Sequence, residues 1–170
     1  MRHGPACRIL CRMFALPHLV TDRLTLTPVT PADHRDLAAL EADPEVMRHL
    51  AGGDYLQPRG TEPEVLAARL RRGGSFIGWF AVFDDGWVQG ARQGELGYRL
   101  QRACWGQGYA SEGAQALADL ALGALGFDLI RAEVAAGNAG SRRVLEKSGF
   151  RFAGSLAAGE LAYERRRNGA

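Results

Sequence analysis

The sequence predicts a single mixed α/β (α+β) domain. Three observations lead there. Between Phe76 and Leu100 the chain is aromatic, β-branched and in part alternating, with Asp84-Asp85-Gly86 between two runs, as in an antiparallel hairpin. From Ser111 to Leu125 it turns rich in Ala and Leu with few breakers, as in a long helix. Strand-like and helix-like stretches then follow one another with no internal repeat and no long linker. At 170 residues the chain suffices for one ordinary core and is short for two.

Leu24, Leu26 and Pro28 alternate with Thr25 and Thr27, so Arg23 to Val29 is a first strand. Thr30-Pro31 opens a helix, with Thr30 as N-cap and Pro31 at the first helical position. Leu37, Leu40, Val46 and Met47 give that region an apolar face, and Asp43-Pro44 divides it. Gly52-Gly53 begins a loop. Glu64 to Arg72 is expected to be a further helix, ended by Gly73-Gly74. Phe76 to Phe83 is a strand closed by the Asp84-Asp85-Gly86 turn, Trp87 to Gln93 a weak strand, and Glu95 to Leu100 a better one. In the last, Leu96, Tyr98 and Leu100 share one face, and Glu95 and Arg99 the other. After the Ser111 to Leu125 helix come a strand from Leu129 to Ala135 and a short helix from Ser141 to Ser148, which Gly149 stops. Phe150 to Leu156 and Leu161 to Arg165 are the last strands. Residues 1–19 read as an N-terminal extension, expected to be disordered, and 20–170 as the domain; residues 1–12 fit a start codon upstream of a native start at Met13.

Composition removes several function classes. An apolar content of 46% with 24% charged residues is a globular balance, not a disordered one. The net charge of +2 gives no argument for nucleic acid, and Arg165, Arg166 and Arg167 read as a solvated end. No apolar run approaches the ~18 residues of a membrane span, and the N-terminus lacks a signal-peptide core. Cys7, Cys11 and Cys104 are an odd, sparse set suited to a reducing cytoplasm. Cys7 and Cys11 have metal-like spacing, but no second Cys/His pair completes a site, so no metal is predicted.

The chemistry lies in Glu95 to Ala110, ELGYRLQRACWGQGYA, followed by Ser111-Glu112 and the long helix. A strand enters a turn holding Gly106 and Gly108 and passes directly into a helix N-terminus. Glycines admit close backbone approach, the first amides of the helix point outward, and the dipole adds about half a positive charge, so a diphosphate is the natural occupant. A P-loop would need a Lys after the glycines, and a Rossmann fingerprint a third Gly where Ser111 stands.

A second motif, NAGSRRVLEKSGF from Asn138 to Phe150, follows about thirty residues later. WGQGYASE together with this segment resembles the GNAT superfamily of N-acetyltransferases, nearest its RimJ/RimL-like branch. TDRLTLTPVTPAD, residues 21–33, resembles that branch's opening strand and helix. The resemblance spans about residues 20–165. It implies a GNAT-like fold with a mostly antiparallel central sheet of about six to seven strands flanked by helices, and acetyl-CoA as co-substrate. The amides of Gly106, Gln107, Gly108, Tyr109, Ala110 and Ser111 would hold the CoA pyrophosphate. The backbone of Tyr98, Arg99 and Leu100 would pair with the pantetheine arm, Asn138 would bond that arm, and Ser141 would lie near the thioester sulfur. Trp105 stands where the superfamily has Gln or Arg, a departure common in the branch. Among similar proteins a homodimer is common.

The implied reaction is direct acetyl transfer to a primary amine, either a protein N-terminus or a small molecule. The ammonium must first lose a proton, from a pKa of roughly 8 to 10.4, and the departing thiolate benefits from an acid. Ser141 is the candidate acid, or simply the cap of its helix. Glu95 is the candidate base, or a solvated strand-face carboxylate; Glu160 is a third candidate, and a chain of waters a fourth route. Tyr98 and Tyr109 read as packing residues, and Cys104 without a neighbouring His does not suggest a covalent intermediate. Asp33, Glu41, Asp43, Asp54 and Glu62 would suit a cationic acceptor or be plain surface charges. The brief Ala157-Ala158-Gly159 turn, where many relatives carry an insertion, argues against a ribosomal-protein substrate. A non-catalytic acyl-CoA-binding sensor is the alternative function; a nucleotide-binding regulator is disfavoured by the missing Lys and third Gly.

Overall fold

The computed structural model describes residues 15–49 and 64–167, which form one eight-stranded sheet with helices on both faces. In chain order the elements are β1 (Leu19–Val20), β2 (Leu24–Pro28), α1 (His34–Glu41), α2 (Pro44–Met47), β3 (Val65–Leu70), β4 (Phe76–Val88) and β5 (Ala91–Leu100). There follow α3 (Tyr109–Leu122), β6 (Leu129–Ala135), α4 (Ala139–Lys147), β7 (Arg151–Ser155) and β8 (Glu160–Arg166). The sheet order is β1-β2-β3-β4-β5-β6-β8-β7. Every neighbouring pair is antiparallel except β5–β6. The mixed, mostly antiparallel class expected from sequence therefore holds, with eight strands rather than six or seven.

Two cores follow from side-chain alternation along the strands. Leu66, Phe80, Val82, Leu96 and Leu100 meet Leu117, Ala118 and Ala121 of α3 on one face. Ala67, Trp79 and Ala81 meet Leu37 and Leu40 of α1 on the other. Each large apolar side chain removed from water in this way contributes about 1.5–3 kcal/mol. Leu16, assigned from sequence to the extension, is buried in the first core, and Leu19 lies in β1. Residues 1–14, the Gly52-Gly53 loop, Asp54 and Glu62 lie outside the described residues. Among the described residues no helix is long and apolar enough to cross a membrane.

Three sequence expectations are corrected. The helix expected over 64–72 is strand β3. It runs between β2 and β4 and buries Val65, Leu66, Ala67 and Ala68 consecutively. A strand covered on both faces loses its alternation, and tertiary pairing overrides the helical bias of Leu and Ala. Nor does Asp84-Asp85-Gly86 close the hairpin. The strand continues through it as an irregularity between Asp84 and Gly86, where Asp84 accepts from the Gly86 N–H at 2.9 Å and pairs with Arg92 at 2.6 Å. The chain reverses instead at Gln89-Gly90, at φ of 52° and 83°, the left-handed pair that a two-residue hairpin loop needs. Trp87 to Gln93, expected as one strand, is thus the tip of the hairpin.

Candidate functional site

The central strands part company. β5 and β6 are in register only at Gln93↔Leu129, Gly94↔Ile130 and Glu95↔Arg131. Beyond that point β5 pairs with β4 as far as Leu100, and β6 with β8 as far as Ala135. The edges of residues 96–100 and 132–135 are thereby turned toward a wedge in the middle of the sheet. An extended amide-bearing ligand can add there as a strand does. Tyr98, Arg99 and Leu100 line this edge through their backbones. The Arg99 side chain points to the α1 face, pairing with Glu41 at 3.2 Å and lying over Trp79 at 5.3 Å.

The wedge leads into the glycine turn. Gly106 and Gly108 adopt φ of 72° and 84°, and a Cβ at Gly106 would meet no atom within 4 Å. Residue types with side chains rarely take such angles. The amides of Tyr109, Ala110 and Ser111, in the first turn of α3, have no carbonyl within the helix to bond, which is what a phosphate cradle requires. The Trp105 indole N–H donates to Leu100 O at 2.8 Å, and the Gln107 amide donates to Ala103 O at 2.7 Å, which stiffens the turn from within. The side chain of Gln107 is thus engaged in the loop, and only its backbone N–H is left toward a ligand. These features fit a CoA diphosphate.

A clamp not foreseen from sequence holds the turn from outside. Arg23, one residue before β2, donates through Nη1 to Gln107 O at 2.9 Å and through Nε to Glu112 Oε2 at 2.6 Å. Its backbone N–H and the Thr21 hydroxyl donate to Glu112 Oε1 at 2.8 and 2.5 Å. The guanidinium lies 4.6 Å from the centre of the Tyr109 ring. The sequence signals were an acid in the first turn of α3 and an Arg opening the first strand. Burial raises the pKa of Glu112, but the hydrogen bonds from Thr21 and Arg23, with the charge of Arg23, outweigh it and hold the carboxyl below its usual range. A native pKa below the unfolded value gives stability that is present above the unfolded value and is lost as pH falls through the native one. Glu112→Gln is therefore expected to lower the thermal midpoint most above roughly pH 5, where an unfolded Glu with pKa ~4.3 is ionised. The gap should close as the solution is acidified below that range. Thermal melts of both proteins across pH check it; a gap independent of pH would contradict the clamp.

The acid and base candidates lie on opposite faces. Tyr98 faces α3, stacked on Phe80 with ring centres 5.7 Å apart. Its hydroxyl is buried and makes no hydrogen bond. Burial pushes its pKa up to about 12 against the opposing influence of the Ser141 hydroxyl, which is therefore its neighbour. Ser141 is not the cap of α4: Asn138 is, its Oδ1 accepting from the Ser141 N–H at 3.0 Å. The Asn138 amide nitrogen takes no part in this cap. Glu95 is on the α1 face, beside Phe83 and Arg131. Glu133, two residues beyond Arg131 and on that same face, was not among the candidates read from sequence. Burial first, then Glu160 and Asp85, raise its pKa, with Arg131 opposing. Glu160 begins β8 opposite Ala135, again on this face.

Of the acids expected near the acceptor, the three among the described residues are otherwise engaged. Asp33 caps the turn at Thr30 and pairs with Arg69, Glu41 pairs with Arg99, and Asp43 caps α2 through the Glu45 N–H at 2.9 Å. Burial pushes the Cys104 thiol up, away from nucleophilic character.

Comparison with known proteins shows the family and the fold. Residues 23–151 match the family model of the acetyltransferase (GNAT) domain. The uncharacterized protein YkkB of Bacillus subtilis (strain 168) is 31% identical over 157 residues, covering 85% of this chain and 91% of YkkB. The FsC-acetyl coenzyme A-N(2)-transacetylase of Aspergillus fumigatus is 28% identical over 155 residues, covering 80% of this chain and 66% of that protein. Among solved structures, a spermidine N-acetyltransferase from Vibrio cholerae, in complex with CoA and spermine, aligns with a TM-score of 0.73 at 16% identity. That alignment covers 86% of this chain and 97% of the other, a likeness of fold.

Proposed function

The chain belongs to the acetyltransferase (GNAT) domain family, and from that premise we propose that it acetylates a primary amine by direct transfer from bound acetyl-CoA. The observation that carries the reading is the wedge between β5 and β6, which runs into the left-handed glycine turn at the start of α3. One ligand has both parts this requires: an amide-bearing arm for the strand edges and a diphosphate for the amides. The names of the Aspergillus and Vibrio proteins, which specify acetyl coenzyme A and an amine, support the same reading.

The two sheet faces divide the work. A thioester lying in the wedge meets Ser141 from the α3 and α4 side and the acceptor from the other. On the acceptor side Glu95, Glu133 and Glu160 supply negative charge suited to a cation, and Glu95 or Glu133 takes the amine's proton directly or through water. A carboxyl raised toward working pH is the better base, which favours Glu133. The free amine attacks the thioester carbon, and a backbone N–H at the end of β5 stabilises the oxyanion. The C–S bond then breaks as Ser141 protonates the sulfur.

A panel of polyamines, aminoglycosides and N-terminal peptides, read by thiol release from acetyl-CoA, tests the function. Release with any of them rejects a non-catalytic acyl-CoA sensor; cofactor binding without release from any acceptor supports one. Ser141→Ala is expected to lower kcat by about 100-fold, as loss of a general acid does, with the acetyl-CoA dissociation constant changed less than about twofold. An unaltered kcat would remove Ser141 from the chemistry.

A further inference from the structure

Among the described residues the Tyr98 hydroxyl is one of three buried side-chain polar atoms without a hydrogen-bond partner, the others being Trp79 Nε1 and Arg165 Nη1. This hydroxyl is buried on the α3 face beneath the wedge, its ring stacked on Phe80. A buried hydroxyl left unpaired destabilises a fold, and phenylalanine would keep the stack without that cost. The neighbouring polar group is the hydroxyl of Ser141, in the first turn of α4. β5 and α4 bring the two together from either side of the split, where the thioester sulfur would lie.

We propose that Tyr98 is a positioning residue of the transfer step: its O–H donates to Ser141 Oγ and so turns the serine's own proton toward the departing sulfur. The inference rests on the reading of Ser141 as the acid. A serine hydroxyl has one proton and two lone pairs, and unaided it rotates among several partners. Once a phenol occupies one lone pair, the proton is directed away from the phenol, into the wedge. The tyrosine stays protonated throughout the working range and loses no proton itself. As the C–N bond forms and the C–S bond breaks, the electron pair left on sulfur takes the serine proton. The proton shed by the amine leaves through the base on the opposite face, and solvent restores the serine.

Tyr98→Phe separates this role from packing. With the fastest acceptor from the panel, kcat is expected to fall at least about tenfold, the scale of one hydrogen bond. The acetyl-CoA dissociation constant should change less than twofold, and the thermal midpoint should hold or rise. Adding Tyr98→Phe to Ser141→Ala should cost nothing more, because the tyrosine acts only through the serine. A wild-type kcat in Tyr98→Phe, or a full further loss in the double variant, overturns the proposal. A second readout needs no turnover. With CoA bound, the ζ-carbon NMR resonance of Tyr98, identified by its loss in Tyr98→Phe, should move in Ser141→Ala, and a fixed resonance overturns the pairing. A wild-type protein inactive with every amine would count against the proposed function, while the resonance still decides the pairing.

Discussion

Gly108→Asp should raise the acetyl-CoA dissociation constant by at least about 100-fold, or ~2.7 kcal/mol, and leave the domain folded. The glycine is the residue just before α3, at φ of 84°, where a Cβ would come to 3.2 Å from Arg23 Nη2. Of residues with side chains, Asp and Asn tolerate this region best, at a cost of about 1–2 kcal/mol. A carboxylate at a helix N-terminus recovers about 0.3–1 kcal/mol through the dipole, and Arg23 is at hand as a counter-ion. The fold therefore loses little. Binding loses much, because the carboxylate occupies the amides and repels the diphosphate that they would hold. Calorimetric titration with acetyl-CoA beside a thermal melt reads the two effects separately. An affinity equal to wild type would place the diphosphate elsewhere, and the proposed activity would lose its footing.

The elements legible in the sequence were those whose local chemistry and tertiary setting agree. Leu129–Ala135 alternates and is a strand, one face against the helices and the other partly open. Gly106 and Gly108 announce a turn wherever they stand, because few other residues accept the angles that they take. Where setting overrides local preference, reading failed. Val65 to Leu70 has no period of its own, since both faces of β3 are covered, and its Ala and Leu content suggested a helix. Asp84-Asp85-Gly86 has the composition of a hairpin turn but is absorbed as an irregularity within β4, because the pairing runs on to Val88↔Ala91. Partnerships were least legible of all. Arg23 and Glu112 lie 89 residues apart, and only the fold reveals that they brace the turn. Ser141 was placed near the sulfur by resemblance alone. That Tyr98 stands beside it depends on how α4 packs on α3 and β6, which no spacing along the chain encodes.

Gly113→Ala is expected to destabilise the protein by about 2 kcal/mol, although alanine is the better helix former. Gly113 is in the second turn of α3 and fully covered; a Cβ there would fall 2.3 Å from Phe80 Cζ and within 2.7 Å of two further ring carbons. Phe80 cannot swing aside cheaply, being wholly buried on β4 and stacked on Tyr98. The helix gains ~1 kcal/mol from replacing glycine in its interior. Overpacking a filled core costs about 1–3 kcal/mol, and a contact this short belongs at or beyond the upper end of that range. Packing thus outweighs propensity, and the melting midpoint should drop by about 4–8 °C. Gly140→Ala is the control. It too is helical, but its Cβ would find only Asn138 Oδ1 at 3.6 Å, an ordinary contact, so α4 should melt no lower than wild type. Because Phe80 bears on Tyr98, the Gly113 variant should also lose kcat at temperatures where it remains folded. Equal stability of wild type and Gly113→Ala would mean that α3 rides higher on the sheet than this packing requires, and the support under Tyr98 would go with it.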